Sequence, residues 1–148
     1  MKRGQIYFVE GTGRLGIGDT KPSRPAVVVS ADAVIAEHDT VEVVYLTTHP
    51  WNDLPTHATI RATGVTSVAL CERVSCVDKT KLGDLCGVCT DNEMASIDRA
   101  LLLAFGITSV DINVSAEPLA RIEALGDLRR VEGERDAYKA ILEKVLAR

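Results

Sequence analysis

Residues 24–30 read RPAVVVS, an apolar run bounded by Arg24 and Ser30. Proline disfavours helical geometry for the residue before it, so Arg24 is expected to adopt extended backbone at the start of a strand. Valine is a strong strand former, and the absence of polar alternation indicates burial on both faces. The run therefore predicts a rigid strand that anchors a long cation, whose guanidinium remains available to meet an anion such as phosphate.

Shorter strand patterns flank this run at residues 5–9, 41–46, 58–62, 67–77 and 85–89. A helix is predicted to begin after Thr90, which forms a capping-box pattern with Glu93, and to end at Gly106. Its core-facing stripe is predicted to contain Met94, Ile97, Leu101, Ala104 and Phe105. Several short strands and one late helix predict an α+β fold, built as a small β barrel or a strongly bent sheet that carries the helix.

The pattern changes near Pro118, where apolar residues at helical spacing alternate with dense charges of both signs. We therefore predict a barrel domain over residues 1–107 and a C-terminal helical extension over residues 108–148. Two uses of this helix are open. It is either an amphipathic helix that binds a partner or a second copy, or a helix that folds back on its own barrel.

Composition narrows the class of protein. The chain has 148 residues, of which 46% are hydrophobic and 26% are charged, as in ordinary globular proteins. No apolar run approaches the roughly 18 residues of a membrane span, and no signal-like segment opens the chain, so we expect a cytoplasmic protein with no membrane partner. The net charge of −4 argues against sequence-blind nucleic-acid binding but is compatible with a local basic groove.

Cysteine usage indicates reduced thiols. The four cysteines are Cys71, Cys76, Cys86 and Cys89. Because they fall in strand patterns rather than in the tight turns typical of zinc sites, we favour buried free thiols over a zinc site or a redox pair. No metal and no other cofactor is expected.

Several segments together resemble the MazF/PemK toxins of toxin–antitoxin pairs, in family order and near family spacing. The segments are residues 2–7, 24–30, 46–48, 54–57, 67–70, 77–79 and 91–106. The resemblance covers about residues 1–107. It implies a homodimeric SH3-like barrel, of the same fold class as CcdB, that cleaves single-stranded RNA at short sequences without a metal. It also implies a cognate antitoxin whose extended or helical tail covers the RNA groove.

Within this resemblance, two residues are predicted to be catalytic. Arg24 occupies the position that is catalytic in the family, and Thr47 matches the threonine that works with it. In such a reaction the ribose 2′-hydroxyl attacks the neighbouring phosphate and the 5′-oxygen leaves. An arginine supplies planar, permanently charged donors to the phosphoryl oxygens, and a threonine hydroxyl donates one more hydrogen bond.

Three further candidates lie next to these two residues in sequence. Asp19 stands where some relatives carry a glutamate. It is a proton acceptor for the reaction, an orienting partner for Arg24, or a solvated loop aspartate. Ser23 directly precedes Arg24 and is a candidate for catalysis or RNA binding. Thr48 is a candidate because the sequence leaves a one-residue ambiguity about Thr47.

The loop that follows contains three more candidates. His49 is the best placed titrating group, although an exposed loop histidine without a role is an equally ordinary reading. His57 matches a recurring family position, with a structural and a substrate-contacting role both open. Trp51 either stacks an RNA base or packs in the barrel.

Two other functions remain as alternatives. A toxin of this fold class can bind a protein target such as gyrase, as CcdB does, without any catalysis. A degenerate toxin can also serve as a partner-binding module through its C-terminal helix. Only the ribonuclease requires Arg24 and Thr47 as a functional pair.

Overall fold

The computed structural model describes residues 1–11 and 23–107 and, in the C-terminal part, residues 124, 127, 130–137 and 139. Asp19, the rest of the glycine-rich loop over 12–22, and most of the predicted extension lie outside the described residues. The chain divides into two compact units, Met1–Asp111 and Ile112–Arg148.

The described part of the first unit consists of an antiparallel sheet with short helical segments. The elements are β1 (Gln5–Val9), β2 (Arg24–Val28), α1 (Asp32–Glu37), β3 (Thr40–Thr47), β4 (His57–Ile60), β5 (Ser67–Asp78), a 3-10 turn (Lys79–Lys81), β6 (Leu82–Val88) and α2 (Asp91–Ala104). The strands form one six-stranded sheet in the order β4-β5-β3-β2-β1-β6. The predicted α+β class is confirmed.

The sheet is not closed into a hydrogen-bonded barrel, because β4 and β6 are its two edges. The residues that follow β4, at one edge, nevertheless lie close to β6, at the other edge. A Cβ atom added to Gly87 in β6 would lie 2.6 Å from the carbonyl oxygen of Ala62, just after β4. A side chain does not fit at this distance, so the close approach of the two backbones requires glycine here.

Strand β2 is buried on both faces, as its unbroken apolarity predicts. Val27 and Val29 belong to a core that packs against α2, whereas Ala26 and Val28 belong to a second core that contains Ile35 of α1. A strand that is packed on both faces changes its backbone conformation little when a ligand binds at its end. This rigidity extends to Arg24, the first residue of β2.

Helix α2 has the predicted ends. The side chains of Thr90 and Glu93 form the capping box, and Gly106 has φ of +68° after the last turn. Ile97 is fully buried against the sheet. The prediction that Phe105 faces the core is wrong: its side chain is 64% exposed, because it is the C-cap residue, where the chain leaves the helical path.

Two local features differ from the sequence pattern. Helix α1 was not predicted, since it has only six residues and its N-cap residue, Ala31, makes no side-chain hydrogen bond. Strand β6 begins at Leu82, three residues earlier than its apolar pattern indicated.

In the second unit, the described residues are helical and exposed. Arg130 forms an ion pair of 3.2 Å with Asp127, one helical turn earlier. The assignment of residues 108–148 as a separate domain stays a prediction. No helix in the described residues combines the length and hydropathy that a membrane span requires.

Candidate active site

Strand register brings the two predicted catalytic residues to one end of the sheet. Ala26 of β2 pairs with Tyr45 of β3, and Arg24 and Thr47 each lie two residues beyond this pair, toward the same end of the sheet. Residues two apart on a strand share a face, so Arg24, Tyr45 and Thr47 lie on the same side of the sheet.

A cavity of about 730 Å³ opens at this end. It is lined by six of the eight predicted site residues: Arg24, Thr47, Thr48, His49, Trp51 and His57. It also contains residues that sequence reasoning did not select, including Tyr45, Glu72 and Arg73. Ser23 is exposed but does not line the cavity, and Asp19 lies outside the described residues.

Two arginines, Arg24 and Arg73, supply positive charge to the lining of the cavity. Arg24 and Arg73 are both exposed, and neither guanidinium has a hydrogen bond or ion pair to another described residue. Burial raises the pKa of the Tyr45 phenol, while the nearby charge of Arg24 acts in the opposite direction. The phenol therefore stays neutral at physiological pH, and the two guanidiniums remain available to an anion.

The turn after β3 orients two hydroxyls and an imidazole. The backbone N–H of His49 donates to Thr47 Oγ1 at 3.2 Å, so this oxygen already accepts one bond. No described residue accepts the Thr47 hydroxyl hydrogen, which leaves it able to donate to a bound group. Thr48 Oγ1 lies 2.8 Å from His49 Nδ1, which leaves Nε2 of the exposed imidazole facing solvent or ligand.

His57 is held at both ring nitrogens. The backbone N–H of Leu54 donates to His57 Nδ1 at 3.4 Å, so in the neutral ring the proton lies on Nε2. Nε2 is 3.3 Å from Glu72 Oε1. The His57 side chain is only 5% exposed. These contacts hold the His57 ring in one orientation beside Glu72 and leave little of it exposed.

Glu72 is the acidic group of the cavity. Its other oxygen, Oε2, accepts a hydrogen bond of 3.1 Å from the Thr56 hydroxyl, and its side chain is 32% exposed. Burial opposes ionisation, but bonds from its own backbone N–H, His57 and Thr56 outweigh it and lower the pKa. Glu72 is therefore a fixed carboxylate at neutral pH. A lone acidic residue inside an apolar strand was the sequence signal for it.

Trp51 lines the cavity and is fully exposed to solvent. The alternative that it packs in the barrel is wrong. An indole held in water beside arginine side chains offers a flat apolar surface to a planar ligand.

None of the four cysteines lines this cavity. The expectation of buried thiols is wrong for Cys76, which is exposed. Cys71 and Cys89 are buried, and burial, aided by nearby carboxylates, raises the pKa of each to about 12. Both are therefore protonated at neutral pH, whereas metal binding and nucleophilic attack need the thiolate. Within the described residues, no group of three or more histidine, cysteine or acidic side chains is arranged to hold a metal ion.

Comparison with solved structures gives a consistent picture. The fold superposes on a mycobacterial endoribonuclease in complex with its cognate antitoxin, with a TM-score of 0.62 and 28% identity over 74% of this chain and 99% of that one. A second mycobacterial endoribonuclease gives 0.62 and 25% identity, over 74% and 95% of the two chains. MazF from Deinococcus radiodurans, at 19% identity, shares the fold, with a TM-score of 0.59 over 72% of this chain and 96% of that one.

No match to a curated protein sequence was found. The family model for PemK-like, MazF-like toxins of type II toxin–antitoxin systems, however, matches residues 2–105. That range contains the whole sheet, α2 and every described residue of the cavity. The chain therefore belongs to the PemK-like, MazF-like toxin family.

Proposed function

We propose that this toxin is a sequence-specific endoribonuclease that cleaves single-stranded RNA without a metal. The supporting observation is the cavity lined by Arg24 and Thr47, which lie at the same end of the paired strands β2 and β3, together with His49 and Glu72. The similarity to two solved mycobacterial endoribonucleases also supports this activity.

The proposed reaction is an internal transfer of phosphate. The ribose 2′-hydroxyl attacks the adjacent phosphorus, the bond to the 5′-oxygen breaks, and the products are a 2′,3′-cyclic phosphate and a 5′-hydroxyl. Arg24 donates to the phosphoryl oxygens as their charge grows, and the Thr47 hydroxyl adds one donor. The Glu72 carboxylate takes the proton of the attacking hydroxyl, and His49 gives a proton to the leaving oxygen.

The two proton-transfer roles follow from the different environments of the groups. Three hydrogen-bond donors keep Glu72 ionised and therefore able to accept a proton. His49 is exposed, and only its Nδ1 is engaged, by Thr48.

Discrete RNA fragments test the proposal directly. Purified protein incubated with mixed-sequence single-stranded RNA and excess EDTA is expected to give fragments with cyclic phosphate and 5′-hydroxyl ends. Sequencing of those ends should return one short recognition word. Intact RNA, or fragments that appear only when a divalent metal is added, would contradict the proposed function.

Trp51 is proposed to stack an RNA base at the rim of the cavity. Trp51→Ala is expected to raise KM about tenfold with kcat unchanged, because stacking on an aromatic side chain is worth about 1–3 kcal/mol per base and is present in both ground and transition states. Trp51→Phe keeps a ring and should recover most of the affinity. Equal KM values for the alanine variant and the wild type would exclude this role.

We further infer three properties that accompany such an activity. Leu85 and Val88 on the edge strand β6 and Phe105 after α2 are exposed apolar residues, which supports pairing with a second copy as a homodimer. A cognate antitoxin is inferred from the family and from the mycobacterial complex. An RNA substrate further supports a cytoplasmic location.

A further inference from the structure

A second depression, of about 430 Å³, lies between the edge strand β4 and helix α2. We call it the β4–α2 groove; besides His57, its polar lining consists of Thr59, Arg61, Asn92, Glu93, Ser96 and Arg99. His57, the first residue of β4, lines both this groove and the catalytic cavity. Because β4 is an edge strand, the two depressions share His57 at the edge of the sheet.

The groove carries unpaired positive charge. Arg61 and Arg99 are exposed, and neither guanidinium has a hydrogen bond or ion pair to another described residue. The acidic residue of the lining, Glu93, accepts the backbone N–H of Arg61 at 2.6 Å and that of Thr90 at 2.8 Å, and it forms no ion pair with either guanidinium. This concentration of cations stands out in a chain whose net charge is −4.

Helix α2 adds neutral donors and acceptors. Asn92, Ser96 and Arg99 are spaced four and three residues apart, so they form one stripe along the helix on the side that lines the groove. Guanidiniums suit phosphate oxygens, and amide and hydroxyl groups suit sugar hydroxyls and base edges. The combination fits a single-stranded polynucleotide better than an apolar peptide.

We propose that the β4–α2 groove binds the phosphodiester backbone of the RNA strand that flanks the scissile nucleotide, with Arg61 and Arg99 as the phosphate-binding residues. The identity of the ligand rests on the proposed ribonuclease function. An acidic protein segment has similar charge, but continuity with the cavity through His57 favours the same strand that occupies the cavity. The groove thereby lengthens the RNA contact without taking part in the chemistry.

Salt-dependent binding tests the groove apart from catalysis. The probe is a labelled 24-nucleotide mixed-sequence RNA with 2′-O-methyl riboses, which has no 2′-hydroxyl to react. Arg61→Ala combined with Arg99→Ala is expected to weaken binding about tenfold in fluorescence anisotropy. The slope of log affinity against log salt should become shallower by about 1.4, since each phosphate neutralised on a single strand contributes about 0.7.

The matched control removes two charges from surfaces outside both depressions. Lys2→Ala combined with Lys81→Ala should leave affinity and slope within error of the wild type. If the double alanine variant melts at a lower temperature than the wild type, Arg61→Gln combined with Arg99→Gln is used instead. Glutamine keeps most of the aliphatic part of each side chain.

Each outcome separates the proposals. A folded double variant with wild-type affinity and slope would overturn the groove. The groove would instead be assigned to a protein partner if the double variant bound RNA as the wild type does but no longer bound a ten-residue oligo-glutamate peptide. If the wild-type protein cleaves no RNA but the double variant still loses RNA affinity, the nuclease fails and the groove stands. A wild-type protein that does not bind the RNA overturns both.

Discussion

Arg24→Ala is expected to lower kcat/KM for RNA cleavage by about 10³-fold, the loss typical when a charged donor to a developing oxyanion is removed. The free energy of unfolding should change by less than about 0.5 kcal/mol, since the side chain is exposed and makes no hydrogen bond to a described residue. Initial rates on labelled single-stranded RNA in EDTA, together with thermal unfolding curves, measure the two effects separately.

Two companion variants define what Arg24 contributes. Arg24→Lys keeps a positive charge but loses the planar fork that reaches two phosphoryl oxygens, so its activity should fall between those of the wild type and the alanine variant. Arg130→Ala removes an arginine from an exposed ion pair with Asp127 and should leave cleavage unchanged. Cleavage by Arg24→Ala within tenfold of the wild type would refute the catalytic assignment.

The sequence was sufficient for features that depend on local chemistry. The valine run of β2 could be read as doubly buried because polar alternation is absent, and Val27 and Val28 indeed enter different cores. The capping box at Thr90 was predictable because its two hydrogen bonds join residues three apart. In both cases the physical cause lies within a few consecutive residues.

Long-range register was not predictable in the same way. Glu72 interrupts the apolar pattern over residues 67–77, and nothing in that pattern indicates which side chains it contacts. Its role depends on β4 pairing with β5, which sets His57 opposite Leu70 and brings the imidazole to the Glu72 carboxylate. The burial of Trp51 was equally undecided, because a loop side chain has no periodicity that indicates which way it faces.

Glu72→Gln is expected to lower kcat/KM by about 10²-fold or more, in the range lost when a general base is removed. Gln has nearly the same shape, but it cannot take the proton of the 2′-hydroxyl at neutral pH. For the wild type, kcat/KM should fall at low pH as Glu72 is protonated, with a midpoint below the ordinary glutamate pKa of about 4.3. The variant should lack this acidic limb.

Stability supplies an independent readout of the same carboxylate. Because the pKa of Glu72 is lower in the folded chain than in the unfolded one, its hydrogen bonds to His57 and Thr56 stabilise the fold above the unfolded-state pKa. That contribution is lost as the pH falls through the lowered, folded-state value. The difference in free energy of unfolding between the wild type and Glu72→Gln should therefore be constant near pH 7 and shrink on acidification.

Asp78→Asn is the matched control for Glu72→Gln. Asp78 also has a lowered pKa, caused mainly by hydrogen bonds from Thr80, but it is the last residue of β5 and lies outside both depressions. The control should therefore show its own pH-dependent change in stability while keeping wild-type cleavage and its acidic limb. If both variants lost cleavage equally, the effect would come from the fold rather than from proton transfer. If Glu72→Gln retained full activity with the acidic limb in place, the base would have to be another group of the cavity.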